Sequence, residues 1–554
     1  MANFSSETSP PPTIRARHLA SSILAVFVLI VGFLYGSPAQ AATPPPVFPI
    51  SGYFIFGSSS DAINIQKLTD IKSVGGDTVI TFGSRLKPAT LDMIPEDCNI
   101  NGVNCATAAA TGLKVNRYFT YSDASLWGAP SRYCPKDVSL TGNGKPFTVF
   151  VLPNQGSNCT SSNGVYDVVV VSGAPYAGTL GINVSLAKAA TSLGMKYYAG
   201  MPIPASRTDL AWLPDVSYLP ALTQFTDRFL RYQKAVINQA GLAGFYHSFE
   251  MPVTDGTSFQ PILNLYQMQN DAISRILPDR SAMVSPYLDS RRTGSKITTT
   301  QVMYGAEKIA KTAGKVRLSI AIQDSMGTGK GGAYFGNEAT AAVDPFAASI
   351  VGSGTWGDKY LAPNRDYFAA AANGIDGTGA QLWGNLEGMA PATSQNPCDT
   401  NLRGQTTKAR IDKQLQQMGN APVKVISFMW DTYYTCIGSG AWGPLVDRMK
   451  TGSMTPIITD SIFYGNGDVL VTGQNLSGGT VYIKWTDTSG RTYEKTVPAT
   501  NYNPSYGIQQ GLNPRLESVT AQLGSTSLGS GKYYMIDVVN GSGAKNDAFY
   551  SDRG

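Results

Sequence analysis

The chain has 554 residues, more than one hydrophobic core ordinarily supports, since single cores stop growing near ~250–300 residues. With 42% hydrophobic and only 15% charged residues it is globular, and a net charge of +5 without a basic block excludes a nucleic-acid groove. Two histidines, His18 and His247, nearly exclude a multi-histidine metal site and leave a Ser-His-Asp scheme a single base to draw on.

The first predicted element is an export signal. Arg15 and Arg17 precede an apolar run from Leu19 to Tyr35, followed by Ser37-Pro-Ala-Gln-Ala-Ala42 with an Ala39-x-Ala41 cleavage site. The run approaches a membrane span in length, but Gly32, Gly36 and the cleavage motif favour removal of residues 1–41, and His18 with them. Thr43-Pro-Pro-Pro46 then forms part of a stiff leader over residues 42–49. In the oxidising compartment that export implies, Cys98, Cys105, Cys134, Cys159, Cys398 and Cys436 read as disulfides, an even set that allows fifteen pairings. Spacing suggests Cys98–Cys105, Cys134–Cys159 and Cys398–Cys436. The protein is expected outside the cytoplasm, extracellular or periplasmic.

From Ile50 onward, β-rich runs alternate with helical patterns. The strands are expected at Gly52–Phe56, Asp77–Phe82, Lys196–Pro202, Ala243–Glu250, Ala282–Leu288, Val316–Asp324, Ala380–Glu387 and Val423–Asp431. Helices are expected at Ala62–Ser73, Ile182–Leu193, Tyr218–Ala240, Phe259–Leu277, Thr299–Ala313, Arg365–Ala372, Lys408–Met418 and, briefly, Pro444–Met449. Leu222, Phe225, Phe229, Tyr232 and Val236 recur at helical spacing, as one buried face requires. Strict alternation predicts parallel strands, and eight of them predict a closed (β/α)8 TIM barrel over residues 50–452, an α/β fold. The rival, an open doubly wound sheet, would carry a glycine-rich phosphate turn after its first strand, and Phe56-Gly-Ser-Ser-Ser60 is not one.

Two regions fall outside the repeat. Residues 87–178 form an insertion after strand 2, with four cysteines and strands at Phe147–Leu152 and Tyr166–Val171. Over residues 453–554 no helical pattern remains. Short β-rich runs at Asp468–Thr472, Thr480–Trp485, Tyr493–Val497, Ser518–Leu523 and Lys532–Val538 predict an all-β sandwich, similar to the immunoglobulin-like modules of secreted polysaccharide-active enzymes. Binding substrate, contacting the cell surface and bracing the barrel are its open roles.

A closed barrel keeps its active site at the C-terminal ends of its strands. Those ends carry Arg85, Glu250, Asp289, Asp324, Glu387 and Asp431. Glu250 closes Gly244-Phe-Tyr-His-Ser-Phe-Glu250 and Glu387 closes Leu382-Trp-Gly-Asn-Leu-Glu387. Two carboxylates flanking a pocket are what glycosidic cleavage needs, one to protonate the leaving oxygen and one to attack carbon or activate water.

A glutamate on strand 4 and another on strand 7 resemble the arrangement of clan A glycoside hydrolases, retaining (β/α)8 enzymes, and the strand segments are similar to glycosidase-like bacterial barrel proteins. The resemblance covers roughly residues 50–452. It implies Glu250 as acid/base and Glu387 as nucleophile. The Asn that those enzymes usually carry before the strand 4 Glu is Phe249 here.

Asp324, Asp431, Trp383, Trp430 and Tyr433, with Arg85 and Asp289, are expected to line the sugar site, since pyranose faces pack on aromatic rings and polar rims take the hydroxyls. Trp356, Trp442, Tyr434 and Tyr53 are weaker candidates. His247, three residues before Glu250, points to the opposite strand face and is expected behind the site. No GxSxG elbow accompanies it. Ser325-Met-Gly-Thr-Gly-Lys-Gly-Gly332 lacks the Ser or Thr after Lys330 that a phosphate loop needs, and reads as a flexible barrel loop. The sequence therefore predicts a secreted retaining glycoside hydrolase, a monomer without cofactor or metal, acting on a polysaccharide or exopolysaccharide. The alternative is a catalytically silent barrel that binds or scaffolds surface polysaccharide.

Overall fold

The computed structural model describes residues 48–123, 127–173, 181–391, 403–436, 444–524, 528 and 531–553. The export segment, most of the leader, Cys398 and Trp442 lie outside them.

Eight short strands form the centre: β1 (Gly52–Phe54), β2 (Thr78–Ile80), β3 (Lys196–Gly200), β4 (Leu242–His247), β5 (Ser281–Val284), β6 (Leu318–Gln323), β7 (Gln381–Glu387) and β8 (Lys424–Phe428). Each pairs in parallel with its sequence neighbours, and β8 closes on β1 through Gly52–Ile426 and Tyr53–Ser427. The result is a TIM barrel, in which all eight expected strand runs take part. Around it lie α1 (Asp61–Ser73), α2 (Ile182–Leu193), α3 (Leu219–Val236), α4 (Gln260–Ile276), α5 (Thr299–Lys311), α6 (Asn364–Ile375), α7 (Lys408–Met418) and α8 (Leu445–Thr451).

Local chemistry starts several helices. The side chains of Ser60 and Thr407 cap α1 and α7 by accepting from the N–H groups of Ile63 and Arg410, and Thr298 with Gln301 makes a reciprocal capping box on α5. Alternation along each strand separates two cores. Phe54, Ile80, Tyr198, Tyr246, Met283, Ala321, Trp383 and Ile426 fill the barrel interior, while Tyr53, Val79, Phe245 and Ile320 pack outward under the helices.

The insertion folds as a five-stranded sheet ordered Lys87–Ala89, Lys114–Ser122, Val165–Ser172, Lys145–Pro153, Val138–Gly142. It covers the outer side of α3. Trp127 stacks on Phe225 and Tyr232 at 5.5 and 5.6 Å, and Arg228 pairs with the buried Asp137 at 3.2 Å. Leu222, Phe225, Phe229 and Tyr232 are consequently buried, each contributing ~1.5–3 kcal/mol of transfer free energy. Disulfides join Cys98 to Cys105 and Cys134 to Cys159, and Cys436 is disulfide-bonded as well. The expected Cys398–Cys436 pair falls on a residue outside those described. No described helix is long and apolar enough to cross a membrane.

The C-terminal region is built of strands, as expected. Seven antiparallel strands run as one hydrogen-bonded series, an all-β arrangement: Ile457–Phe463, Asp468–Gln474, Glu517–Gln522, Thr492–Asn503, Thr480–Thr486, Tyr533–Val539, Tyr550–Arg553. Thr492–Asn503 joins the halves, pairing with Thr480–Thr486 along its first part and, past a register shift, with Glu517–Gln522 along its last. The first and last strands are not among the predicted runs. This sheet packs on α6 and α7: Arg365 binds Asp460, Lys408 reaches Asp547 at 2.9 Å, and Gln416 donates to the Ala548 carbonyl at 3.0 Å.

Candidate active site

An apolar run buries a strand, so the polar residue that ends the run is the first to meet the barrel mouth. Glu387 is the last residue of β7, and Glu250 follows β4 by three residues. Both line one small cavity of about 50 Å³ together with Tyr246, Gln323, Asn385 and Arg403.

Their surroundings differ. Glu387 is 3% exposed, its Oε2 accepting from the Thr328 N–H at 2.6 Å and its Oε1 from the Thr328 hydroxyl at 3.3 Å. Burial raises its pKa, opposed by the charge on Arg403, the Thr328 donors and Lys330. Glu250 is reachable from solvent, yet the mouth walls take most of the water from its carboxyl. That desolvation lifts its pKa from 4.5 to about 6; the Gln323 amide, donating to Oε1 at 2.9 Å, opposes the rise and the charge on Glu387 adds to it.

Asp324 lies directly behind Glu387 and is 0% exposed. It accepts from the N–H groups of Met326 and Glu387 at 3.1 and 3.3 Å, and from Gln414 of α7 at 2.9 Å. Gln414 also donates to the Glu387 carbonyl at 3.0 Å. Burial, then the charge on Glu387, push Asp324 well above the usual carboxylate range. Arg403 and Lys330 oppose the rise at Glu387 and favour its charged form.

Other predicted site residues stand elsewhere. Asp431 pairs with Lys67 of α1 and accepts from the Phe56 N–H at 2.6 Å. Asp289 is buried against Arg291, with two contacts of 2.8 Å. Trp383 fills the barrel interior, edge-on to Tyr198 at 5.9 Å. Trp430 packs outside the barrel wall between Tyr53 and Tyr434, at 5.0 and 6.2 Å. Tyr433 is buried at 6.1 Å from Phe428, and Trp356 packs against Tyr334 and Tyr360 in a separate loop core. The mouth thus brings together Glu250 and Glu387, with Arg85 on the wall of a neighbouring cleft. His247 is fully buried on the helix side, its ring nitrogens 2.6 and 2.7 Å from the amide oxygens of Gln269 and Asn270 on α4. Burial lowers its pKa to about 4, outweighing both contacts.

Sequence reasoning missed several mouth residues. Gln323 positions Glu250. Asn385, held by a 2.7 Å bond to Ser285, lies on the cavity wall with a buried Oδ1 that has no partner among the described residues. Thr328 and Lys330 belong to the glycine-rich loop read as merely flexible. There Gly327 has a specific use: a Cβ at that position would lie 2.7 Å from the Glu387 Cβ. Glycines at alternate positions after a strand are the signal for such close backbone approach.

Fold and rim define a TIM barrel with a paired-glutamate mouth. No protein-family model matches the chain, and no curated protein matches it. Solved structures similar to it include an endo-beta-1,4-mannanase from Thermotoga petrophila, at 10% identity and TM-score 0.36, covering 92% of this chain and 97% of that one. A beta-mannanase from the blue mussel Mytilus edulis has 10% identity and TM-score 0.30, covering 74% and 92%. Endo-glycoceramidase II from Rhodococcus sp. has 12% identity and TM-score 0.26, covering 61% and 82%. Likeness at that level establishes neither fold nor function; strand pairing establishes the barrel.

Proposed function

We propose that the protein is a secreted glycoside hydrolase acting on a polysaccharide, with Glu250 as acid/base and Glu387 as nucleophile. The observation that carries this reading is the pair of glutamates on one mouth cavity with opposite surroundings: Glu250 solvent-reachable with a pKa near 6, Glu387 buried and held by Thr328. In the first step Glu387 attacks the anomeric carbon while Glu250 gives its proton to the departing oxygen. In the second, Glu250 takes a proton from water, whose oxygen displaces Glu387. Asn385 Oδ1, a buried acceptor without a donor among the described residues, suits a sugar hydroxyl. Domain limits of 50–452 and 453–554, and cleavage after Ala41, belong to the same reading. The strand order of the C-terminal sheet supports an immunoglobulin-like fold, since its first four strands follow the A-B-E-D order and its last three C-F-G.

The test is release of reducing ends from a panel of polysaccharides by the full chain. The wild type should cleave at least one, and Glu387→Gln and Glu250→Gln should lose about 10²–10⁴-fold on it. If both variants keep wild-type turnover, the pair is structural. One observation favours the alternative of a binding barrel: the inner cavity of about 50 Å³ holds a water or two, so a sugar needs Phe82, Phe428 or Arg403 to shift before it meets Glu387. Binding by the wild type without cleavage across the panel would select that alternative.

A further inference from the structure

We infer that the substrate is a uronate-bearing glycan whose acidic unit sits on the leaving-group side of Glu250, against Trp212 and beside Arg85 and Lys330. This deepens the hydrolase reading and rests on it for the assignment of sides. A cleft of about 490 Å³ adjoins the inner cavity, lined by Arg85, Trp212, Phe249, Glu250, Phe259 and Tyr287. That volume is within the range of small-ligand sites. Glu250 lines both spaces and Glu387 only the inner one. A proton donor faces the leaving oxygen and a nucleophile faces the anomeric carbon, so the cleft beyond Glu250 receives the leaving sugar.

Two features of this cleft choose its ligand. Trp212 is 48% exposed, supported from one side by Phe259 at 5.2 Å. A large ring left half-open on a cleft wall is a face for sugar C–H groups. The second feature is positive charge without an ion pair among the described residues. Among the described residues Arg85 uses only Nη1, donating to the Pro204 carbonyl at 3.2 Å and the Ser206 hydroxyl at 2.8 Å, and its guanidinium lies 5.8 Å from the Phe249 ring centre. The Nε–Nη2 edge can bind a carboxylate through two bonds, and no carboxylate among the described residues pairs with it. The Lys330 ammonium stands 4.4 Å from the Tyr287 ring centre, without a carboxylate within ion-pair distance among the described residues, though its charge reaches Glu250 and Glu387. By contrast Asp431 and Asp289, which line neither space, are paired with Lys67 and Arg291. With Glu250 protonated for catalysis, the leaving-group side is cationic, and a neutral glycan would leave that charge unused.

The test measures binding of full-length Glu387→Gln protein to polygalacturonate, alginate, glucuronan and hyaluronan, each beside its carboxyl-reduced neutral counterpart. At least one acidic polymer should bind ten-fold or more tightly than its reduced form. Arg85→Gln should remove that preference, and Trp212→Ala should weaken both forms alike. Circular dichroism confirms that each variant is folded. The inference is overturned if no acidic polymer binds, if the reduced forms bind equally well, or if Arg85→Gln keeps the preference. Wild-type cleavage confined to neutral polymers would retain the hydrolase and overturn the uronate site. Acid-selective binding without cleavage would do the reverse.

Discussion

Glu250 does its proposed work because its environment penalises charge. Its carboxyl holds a proton up to about pH 6, against 4.5 in the ordinary state, so the alkaline limb of kcat/KM should fall with an apparent pKa near 6. A stability consequence has a definite sign. Below about pH 4.5 both folded and unfolded chains are protonated at this site and the shift has no effect. As pH rises through about 6 the folded chain must ionise a desolvated carboxyl, and stability is lost. Glutamine carries no charge at any pH. Glu250→Gln should therefore melt above the wild type at pH 7.5, with the gain vanishing near pH 4; an equal or lower melting temperature at pH 7.5 contradicts the raised pKa. His247 acts in the opposite direction. Its pKa is lowered to about 4, so its contribution is full above its ordinary 6.5 and is lost as pH falls toward 4.

Between strand and loop, the decisive contact is the glycine-rich turn after β6 against the end of β7. Thr328 can fix Glu387 because Gly327 lets backbone approach where a Cβ would meet Glu387 and the Met389 carbonyl, both at 2.7 Å. Gly327→Ala should displace the turn and cost about 10²-fold in kcat on a confirmed substrate, while the melting temperature falls little. Wild-type kcat in that variant would remove Thr328 from the account. This contact also marks a limit of sequence reading. The strands were legible as apolar runs and the barrel from their number, and carboxylates at strand ends were legible as rim residues. That Asp324 would sink behind Glu387 was not, because its partner Gln414 comes from α7, 90 residues further along the chain. Nor does a tryptophan declare which face it serves: Trp383 and Trp430 pack in cores, while Trp212, in a loop without periodicity, stays open to the cleft.

At the scale of the whole molecule, α7 is buried on two sides, by the barrel and by the C-terminal sheet. Its polar residues are covered accordingly: Lys408 pairs with Asp412 at 2.6 Å and with Asp547, and burial lifts Asp412 to about 7. A chain ending at Gly452 would uncover this face and strip Arg365 and Lys408 of Asp460 and Asp547. It should melt well below the full chain or aggregate, which scanning calorimetry would read; equal melting temperatures would mean that the C-terminal sheet is an independent module. The disulfides act at the same scale. Cys134–Cys159 closes a loop with a sequence separation of 25, and its removal by Cys134→Ser with Cys159→Ser should cost about 3–4 kcal/mol in urea unfolding. The central claim is that Glu387 becomes covalently glycosylated while Glu250 governs proton transfer. The direct measurement is peptide mass mapping of Glu250→Gln protein quenched during turnover of an aryl glycoside of the sugar that the polysaccharide panel identifies. That leaving group needs no proton, so the first step proceeds while the second stalls without a base. The account predicts a mass increment of one glycosyl unit on the peptide carrying Glu387. Release of the aryl alcohol with Glu387 unmodified, or with the sugar on another residue, would contradict it.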